Sequence, residues 1–298
     1  MKKGTILLAV GFLTVSSWAF GQDYAFKVLA NKGSNEVKSG QSWQSIKTGT
    51  SLKLTDELKV SENGYLGLVS SGGKPVELKQ AGPYKVSALA EQMKGGTSVL
   101  NKYTDFILSS NSAESKKNRL SATGAVHRGL DDIIVFLPLT QYSSVYNTTA
   151  IINWVAKGSG PYVVTVKNMW GDELMKGETP ENSIEINLTD PKFANEAAFL
   201  VEVNSKADAN SKSEQYLIKR LPPEEQEKIK KALAEINADV KEETALNQFI
   251  LAGFYEENKL FIDAITAYEK AIKMAPDVPS YKEAYEEFLL RNKMKSPK

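Results

Sequence analysis

Residues Ala245 to Val278 read ALNQFILAGFYEENKLFIDAITAYEKAIKMAPDV. Two helical patterns flank a short break at Asn258-Lys259. In the first, Leu246, Phe249, Ile250 and Gly253 recur at helical spacing, with Leu251 and Tyr255 on a neighbouring face. In the second, Ala264, Ile265, Tyr268, Ala271 and Ile272 recur every three or four residues. Pro276 ends it, because proline offers no N–H and restricts the residue before it. Ala264 and Ala271 let two helices approach closely, and Tyr255 and Tyr268 fill the space beside them.

Counted from Ala245, the residues Leu251, Tyr255, Ala264, Tyr268, Ala271 and Pro276 fall on the pattern of the tetratricopeptide repeat, a helical hairpin of about 34 residues. Residues 245–278 therefore resemble one such repeat, with Ala252 in place of the usual glycine and Gln248 in place of the usual tryptophan. The resemblance implies a protein-binding module. In that family the first helix lines the concave binding surface, which here puts Leu246, Phe249, Gly253 and Glu256 on the expected partner-binding face. Because about three repeats are needed for an independent stack, the helical unit is expected to dock on the immunoglobulin-like domain that precedes it or to self-associate.

Working outward, Pro222-Pro223 marks a boundary, and Glu224, Glu225 and Glu227 crowd a helix start, where the dipole favours negative charge. The stripe Ile229, Leu233, Ile236, Val240 follows. A last helix is expected over Tyr281 to Leu290, so the helical domain spans residues 222–298. Before it, Ile133–Leu137, Ala150–Ala156, Tyr162–Lys167, Ser183–Leu188, Ala198–Val203 and Gln215–Lys219 read as strands between turn-forming residues. Trp154 is the expected buried aromatic. The pattern resembles an immunoglobulin-like sandwich over 130–221, without the usual disulfide.

The first third also reads as short strands, among them Phe26–Leu29, Glu57–Val60, Tyr65–Val69 and Pro75–Leu78. Gly49, Leu52, Asp56, Leu58, Val60, Gly64, Leu68, Gly72, Val76 and Leu78 carry a resemblance to a FecR-like domain, with Thr55 where the family usually has glycine. That family implies a periplasmic, non-enzymatic domain. Ser87 to Asn111 reads as two short helices around Gly95-Gly96, so this domain is expected over 22–110. The polar stretch 111–129, with the single histidine His127, reads as a linker. The expected class is multidomain α+β: two β-sandwich-like domains followed by a helical hairpin unit.

Lys2 and Lys3, the apolar run Thr5–Val15 and Ala19-Phe20-Gly21 form a signal-peptide pattern over 1–21, with cleavage before Gln22. The alternative is a retained anchor. Without cysteine the chain can carry no lipobox, disulfide, zinc–thiolate site or cysteine nucleophile. The expected address is periplasmic or secreted. Of 37 basic residues, loss of Lys2 and Lys3 leaves 35 against 36 acidic ones, a balance that argues against nucleic acid as ligand. No second apolar run is long enough to span a membrane.

The sequence offers no catalytic, metal or cofactor site. One histidine without cysteine cannot build a transition-metal centre, and no Asp-x-Asp-x-Asp-Gly loop is present. Ser71-Gly72-Gly73-Lys74 and Lys47-Thr48-Gly49 match fragments of serine-enzyme motifs, but in reversed order, without the third motif and on a turn rather than a helix. The expectation is a non-catalytic adaptor that binds a protein through Leu246, Phe249, Gly253 and Glu256. The other reading is a glycan or cell-wall binder that uses aromatics of the β-domains: Trp43, Trp170, Tyr162 or Tyr142.

Overall fold

In the computed structural model, residues 24–93, 95, 99–122, 133–138, 142–208, 210–237, 240 and 242–295 are described. The expected signal peptide and His127 lie outside them. The first unit holds eight strands: β1 (Phe26–Lys32), β2 (Glu36–Ser39), β3 (Ser42–Ser45), β4 (Ser51–Leu52), β5 (Glu57–Val60), β6 (Tyr65–Ser70), β7 (Pro75–Leu78) and β8 (Gly82–Lys85). They form two antiparallel sheets, in order β4-β1-β6-β7 and β3-β2-β5-β8. Phe26, Val28, Leu52, Leu58, Leu66 and Leu68 fill the space between them, all fully buried.

Helix α1 (Val86–Gln92) closes this unit, with Val86 and Leu89 in the same core. Helix α2 (Val99–Ser110) leaves it. The sequence places α2 with the first β-domain, yet its apolar residues Leu100, Tyr103 and Ile107 belong to a second core made chiefly by the C-terminal half of the chain. Helix α3 (Ala113–Ala122) corrects the linker reading as well. Its polar composition suggests a solvated connection. The Ser112 hydroxyl accepts the Ser115 amide at 3.1 Å, a cap that starts a helix there, and Glu114 sits in the first turn.

The second unit contains β9 (Ile133–Val135), β10 (Ser143–Val145), β11 (Thr149–Ala156), β12 (Tyr162–Asn168), β13 (Glu173–Thr179), β14 (Ser183–Asn187), β15 (Ala198–Ser205) and β16 (Tyr216–Arg220). A five-stranded sheet, β10-β16-β15-β12-β13, faces a three-stranded one, β14-β11-β9. Alternation decides which side of each strand turns inward: Val164 and Val166 on β12, and Phe199, Val201 and Val203 on β15, are all fully buried. Trp154 is 2% exposed and meets Tyr162 edge-on at 5.4 Å.

Four helices follow: α4 (Pro223–Asn237), α5 (Ala245–Glu257), α6 (Phe261–Met274) and α7 (Pro279–Arg291). Thr244 caps α5 by accepting the Asn247 amide, and Lys259, at φ 61°, turns the chain into α6. The layout is α+β. The helices sit between the two β units: α7 packs on β1, α5 on β7 and α2, and α6 on β10 and β11.

Strand β6 shows why the first unit cannot stand apart. Every one of its residues is buried. Leu66 and Leu68 point into the sandwich, whereas Tyr65 and Val69 point out of it into the helical core. Gly67 lies between them on the outer face. A Cβ there would stand 2.9 Å from Leu246 Cδ1 and 3.3 Å from the Ala30 Cβ, so only glycine lets α5 come this close. Gly67→Val should therefore destabilise the protein by roughly 1–3 kcal/mol. In a Leu246→Ala background the same change should cost clearly less, a coupling that a double-mutant cycle of thermal melts detects and that strictly additive losses would rule out.

Candidate functional site

The four residues expected to form a partner-binding face lie on one side of α5, as their spacing requires, but that side is not open. Leu246 is fully buried on Gly67 of β6. Phe249 packs against Tyr281 of α7 at 5.0 Å and Tyr268 of α6 at 6.0 Å between ring centres. Gly253 receives α2: a Cβ there would stand 2.6 and 2.7 Å from Ile107 Cγ1 and Cδ1. Glu256 is 3% exposed. The expectation of an accessible concave face is corrected accordingly. The opposite side of α5 is no freer, since only Gln248, Leu251 and Glu257 reach even partway to the surface. A helix apolar on all sides is an interior helix.

Glu256 is the polar hub of that interior. Its Oε1 accepts Arg291 Nε at 2.7 Å, and its Oε2 accepts Arg291 Nη2 at 2.8 Å, a two-pronged pairing that suits guanidinium and carboxylate. Asn292 Nδ2 donates to Oε1 at 3.1 Å and the Tyr268 hydroxyl to Oε2 at 3.3 Å. Arg291 reaches further, donating from Nη1 to the Ser110 carbonyl at 3.3 Å, at the end of α2. Burial alone would pull the guanidinium pKa down, but Glu256 outweighs it and holds the group above its usual value. One ion pair thus ties α5, α7 and α2.

A second constellation joins the N-terminus of α5 to the first β unit. The Glu77 carboxylate of β7 accepts the Leu246 amide at 2.9 Å, the Tyr65 hydroxyl at 2.7 Å and the Lys79 ammonium at 2.5 Å. Burial would raise the Glu77 pKa, yet these donors together hold it below the usual carboxylate range. Tyr65 and Tyr281 share a hydrogen bond of 2.6 Å, which carries the link to α7.

The third constellation joins α6 to the second β unit. Asp263, Thr266 and Glu269 are spaced by three and share one side of the helix. Asp263 accepts the backbone amides of Tyr146 and Asn147 at 2.9 and 2.8 Å. Thr266 accepts the Ile151 amide at 3.0 Å, and Glu269 accepts the Asn153 side-chain amide. Strand β9 pairs with β11 only from Trp154 to Ala156, so the edge before Trp154 would be bare. Thr266 and Glu269 cover it, through the Ile151 amide and the Asn153 side chain, while Asp263 takes the two amides just before β11; covering an exposed strand edge is one of the ways it is blunted. Regularly spaced apolar residues announce α6 in the sequence; the polar row among them is legible only once β11 is seen beside it.

Of the aromatics considered for sugar stacking, Tyr162 is buried, with its hydroxyl bonded to the Gly158 carbonyl at 2.7 Å. Trp43, Tyr142 and Trp170 are exposed. Ser71 to Lys74 form the turn between β6 and β7, so the serine stands on a turn and not on a helix, and its carbonyl accepts the Asn101 side-chain amide of α2 at 2.7 Å. Among the described residues no group of acidic or histidine side chains is placed to hold a metal. No protein-family model matches the chain, and no curated protein matches it in sequence.

Two outcomes follow from this geometry. Glu256→Ala and Arg291→Ala should each cost about 3–5 kcal/mol, because each strands its partner's charge in the interior. The double variant should lose much less than the two costs combined in urea unfolding; simple additivity would mean that the pair does not interact. Burial also pushes the Asp263 carboxyl up from 3.8 to about 7, against the pull of its two amide donors. The folded chain therefore keeps a proton that the unfolded chain releases between those values, so the stability this group contributes is full below about pH 4 and is lost as pH rises to about 7. The melting temperature of wild type relative to Asp263→Asn should fall across that window, by at most roughly 4 kcal/mol of stability, and stay level above it. A difference constant from pH 4 to 7 would refute this.

Proposed function

We propose that the chain is an exported, non-catalytic scaffold of the cell envelope, in which a tetratricopeptide-like hairpin acts as an internal clamp between a FecR-like and an immunoglobulin-like β unit. The observation that carries this reading is the double engagement of the hairpin. Its first helix is received by β6 and β7 through Gly67 and Glu77, and its second by β10 and β11 through Asp263, Thr266 and Glu269. A module that elsewhere grips a partner here grips its own neighbours. What a clamp supplies is a fixed geometry between two surfaces, which is what a scaffold offers its partners.

Partner contacts then fall on surfaces outside the hairpin's buried face. Large apolar side chains remain exposed on both β units, Trp43 and Leu54 on the first and Met169 and Trp170 on the second, while charged residues are spread over the rest. The Lys2-Lys3 and Ala19-Phe20-Gly21 pattern supports export, with Gln22 as the first residue of the mature chain. The glycan reading keeps Trp43, Tyr142 and Trp170 as candidates and loses Tyr162.

Photo-crosslinking residues placed at Trp43 and Leu54, in chain expressed with its own leader, test this. The scaffold reading expects covalent adducts with envelope proteins, formed by a chain that begins at Gln22. Sedimentation of the chain with purified cell-wall glycan, lost in Trp43→Ala and accompanied by no protein adducts, would favour the glycan reading instead.

A further inference from the structure

We propose that the protein associates head to tail with a second copy of itself, the Met169-Trp170 hairpin tip of one copy seating in the groove between Tyr142 and Phe261 of the next. The inference stands independently of what the scaffold carries. Trp170 is 88% exposed and Met169 51%, the largest apolar exposure on the second β unit. This pair is not held loosely. The Asn168 side chain, itself buried, accepts the amides of Trp170 and Asp172, both at 2.9 Å, and donates to the Asp172 carboxylate at 3.0 Å. The Asn168 amide closes the turn on the Asp172 carbonyl at 2.9 Å. A rigid turn presents the indole with little ordering left to lose, the condition under which a tryptophan anchors an interface.

The receiving surface is an open groove of about 520 Å³ lined by Tyr142, Ser144, Lys259, Phe261 and Asn292. That volume accommodates an indole with a thioether beside it. Its walls are aromatic: Tyr142 is half exposed, and Phe261, otherwise buried, lines the groove. Lys219 stands 4.1 Å from the Tyr142 ring centre and Lys259 5.9 Å from that of Phe261, so the rim is basic. The tip carries the exposed acids Asp172 and Glu173, with Lys167 cross-strand from Glu173. Opposite charge therefore meets when the tip enters the groove, and it would steer the encounter.

Topology makes the contact intermolecular. Strands β10 and β13 are the two edges of the five-stranded sheet. Strand β12 runs parallel to β10, since each step from β12 to β15 to β16 reverses direction and β16 is parallel to β10. The register runs from Asn168 to Phe199 to Ile218 to Ser143, so tip and groove lie towards the same end of one sheet but at opposite edges, with β15 and β16 between them. At about 4.8 Å per strand step, roughly 14 Å separates β12 from β10, beyond the reach of an indole on a rigid turn, so a chain does not fill its own groove. A contact between two different surfaces repeats from copy to copy until a ring closes or a filament grows. A single hairpin tip is small beside a standard interface, so each contact should be weak.

Sedimentation velocity of the chain beginning at Gln22, from micromolar to millimolar concentration, tests the proposal. Wild type should show a sedimentation coefficient that climbs with concentration. Trp170→Ser, and separately Tyr142→Ser with Lys259→Glu, should each weaken association at least tenfold while leaving the circular dichroism unchanged, since all three side chains lie at the surface or on its rim. Mixed together, the two variants keep one intact tip and one intact groove between them and should form a one-to-one dimer that grows no further. A wild type that stays monomeric throughout, or a Trp170→Ser variant that associates as wild type does, would overturn the proposal.

Discussion

A helix enclosed on every side must account for each polar group it brings inside, and α5 brings Glu256. Burying a carboxylate without a partner costs several kcal/mol. Arg291 is the partner, and its arrival fixes much else. It sits at the last turn of α7, so the end of α7 must reach Glu256. Its remaining donor reaches the carbonyl at the end of α2. The side chains that surround the pair, Tyr268 and Asn292, are held by it in turn. The ion pair specifies arrangement more than it adds stability, because well-packed apolar residues of like volume would cost less to bury.

The two β units are joined through this helical centre by different means. On the first, which keeps its own apolar core, contact depends on the missing side chain of Gly67 and on polar links, with Glu77 receiving the positive end of α5 and Tyr65 bonded to Tyr281. On the second, the apolar core runs on into that of the helices, and α6 adds directed acceptors, Asp263 for the amides of Tyr146 and Asn147 just before β11 and Thr266 for that of Ile151 on it. An apolar seam tolerates small slips, whereas a row of directed hydrogen bonds sets a register. Together they give the relative placement of the sandwiches a single solution.

Much of this was legible in the sequence. Periodicity marks α5 and α6, Pro276 their end, and alternation the long strands β12 and β15. What escaped had physical reasons. Strand β3, Ser42-Trp43-Gln44-Ser45, is exposed throughout and shows no alternation. Strand β10 has only three residues, and β13, with Gly177 amid charged neighbours, reads as loop. The burial of Leu246, Phe249, Gly253 and Glu256 could not be read at all. Their spacing places them on one face correctly, but whether that face meets solvent, a partner or the same chain depends on β6 and α2, more than a hundred residues away. Small residues offered the one available sign: Gly67 and Gly253 each make room for a specific large side chain, Leu246 and Ile107.

The central claim is that the helical hairpin locks the two β units into one body. The chain has no cysteine, so two introduced thiols are its only labelling sites. Spin labels at Lys59 on β5 and Lys176 on β13, both exposed and on different β units, report the distance between the sandwiches by pulsed dipolar spectroscopy. A single narrow distance distribution is the result this account predicts. A broad or multiple distribution in the unmodified background would show that the units move independently and that the hairpin does not clamp them.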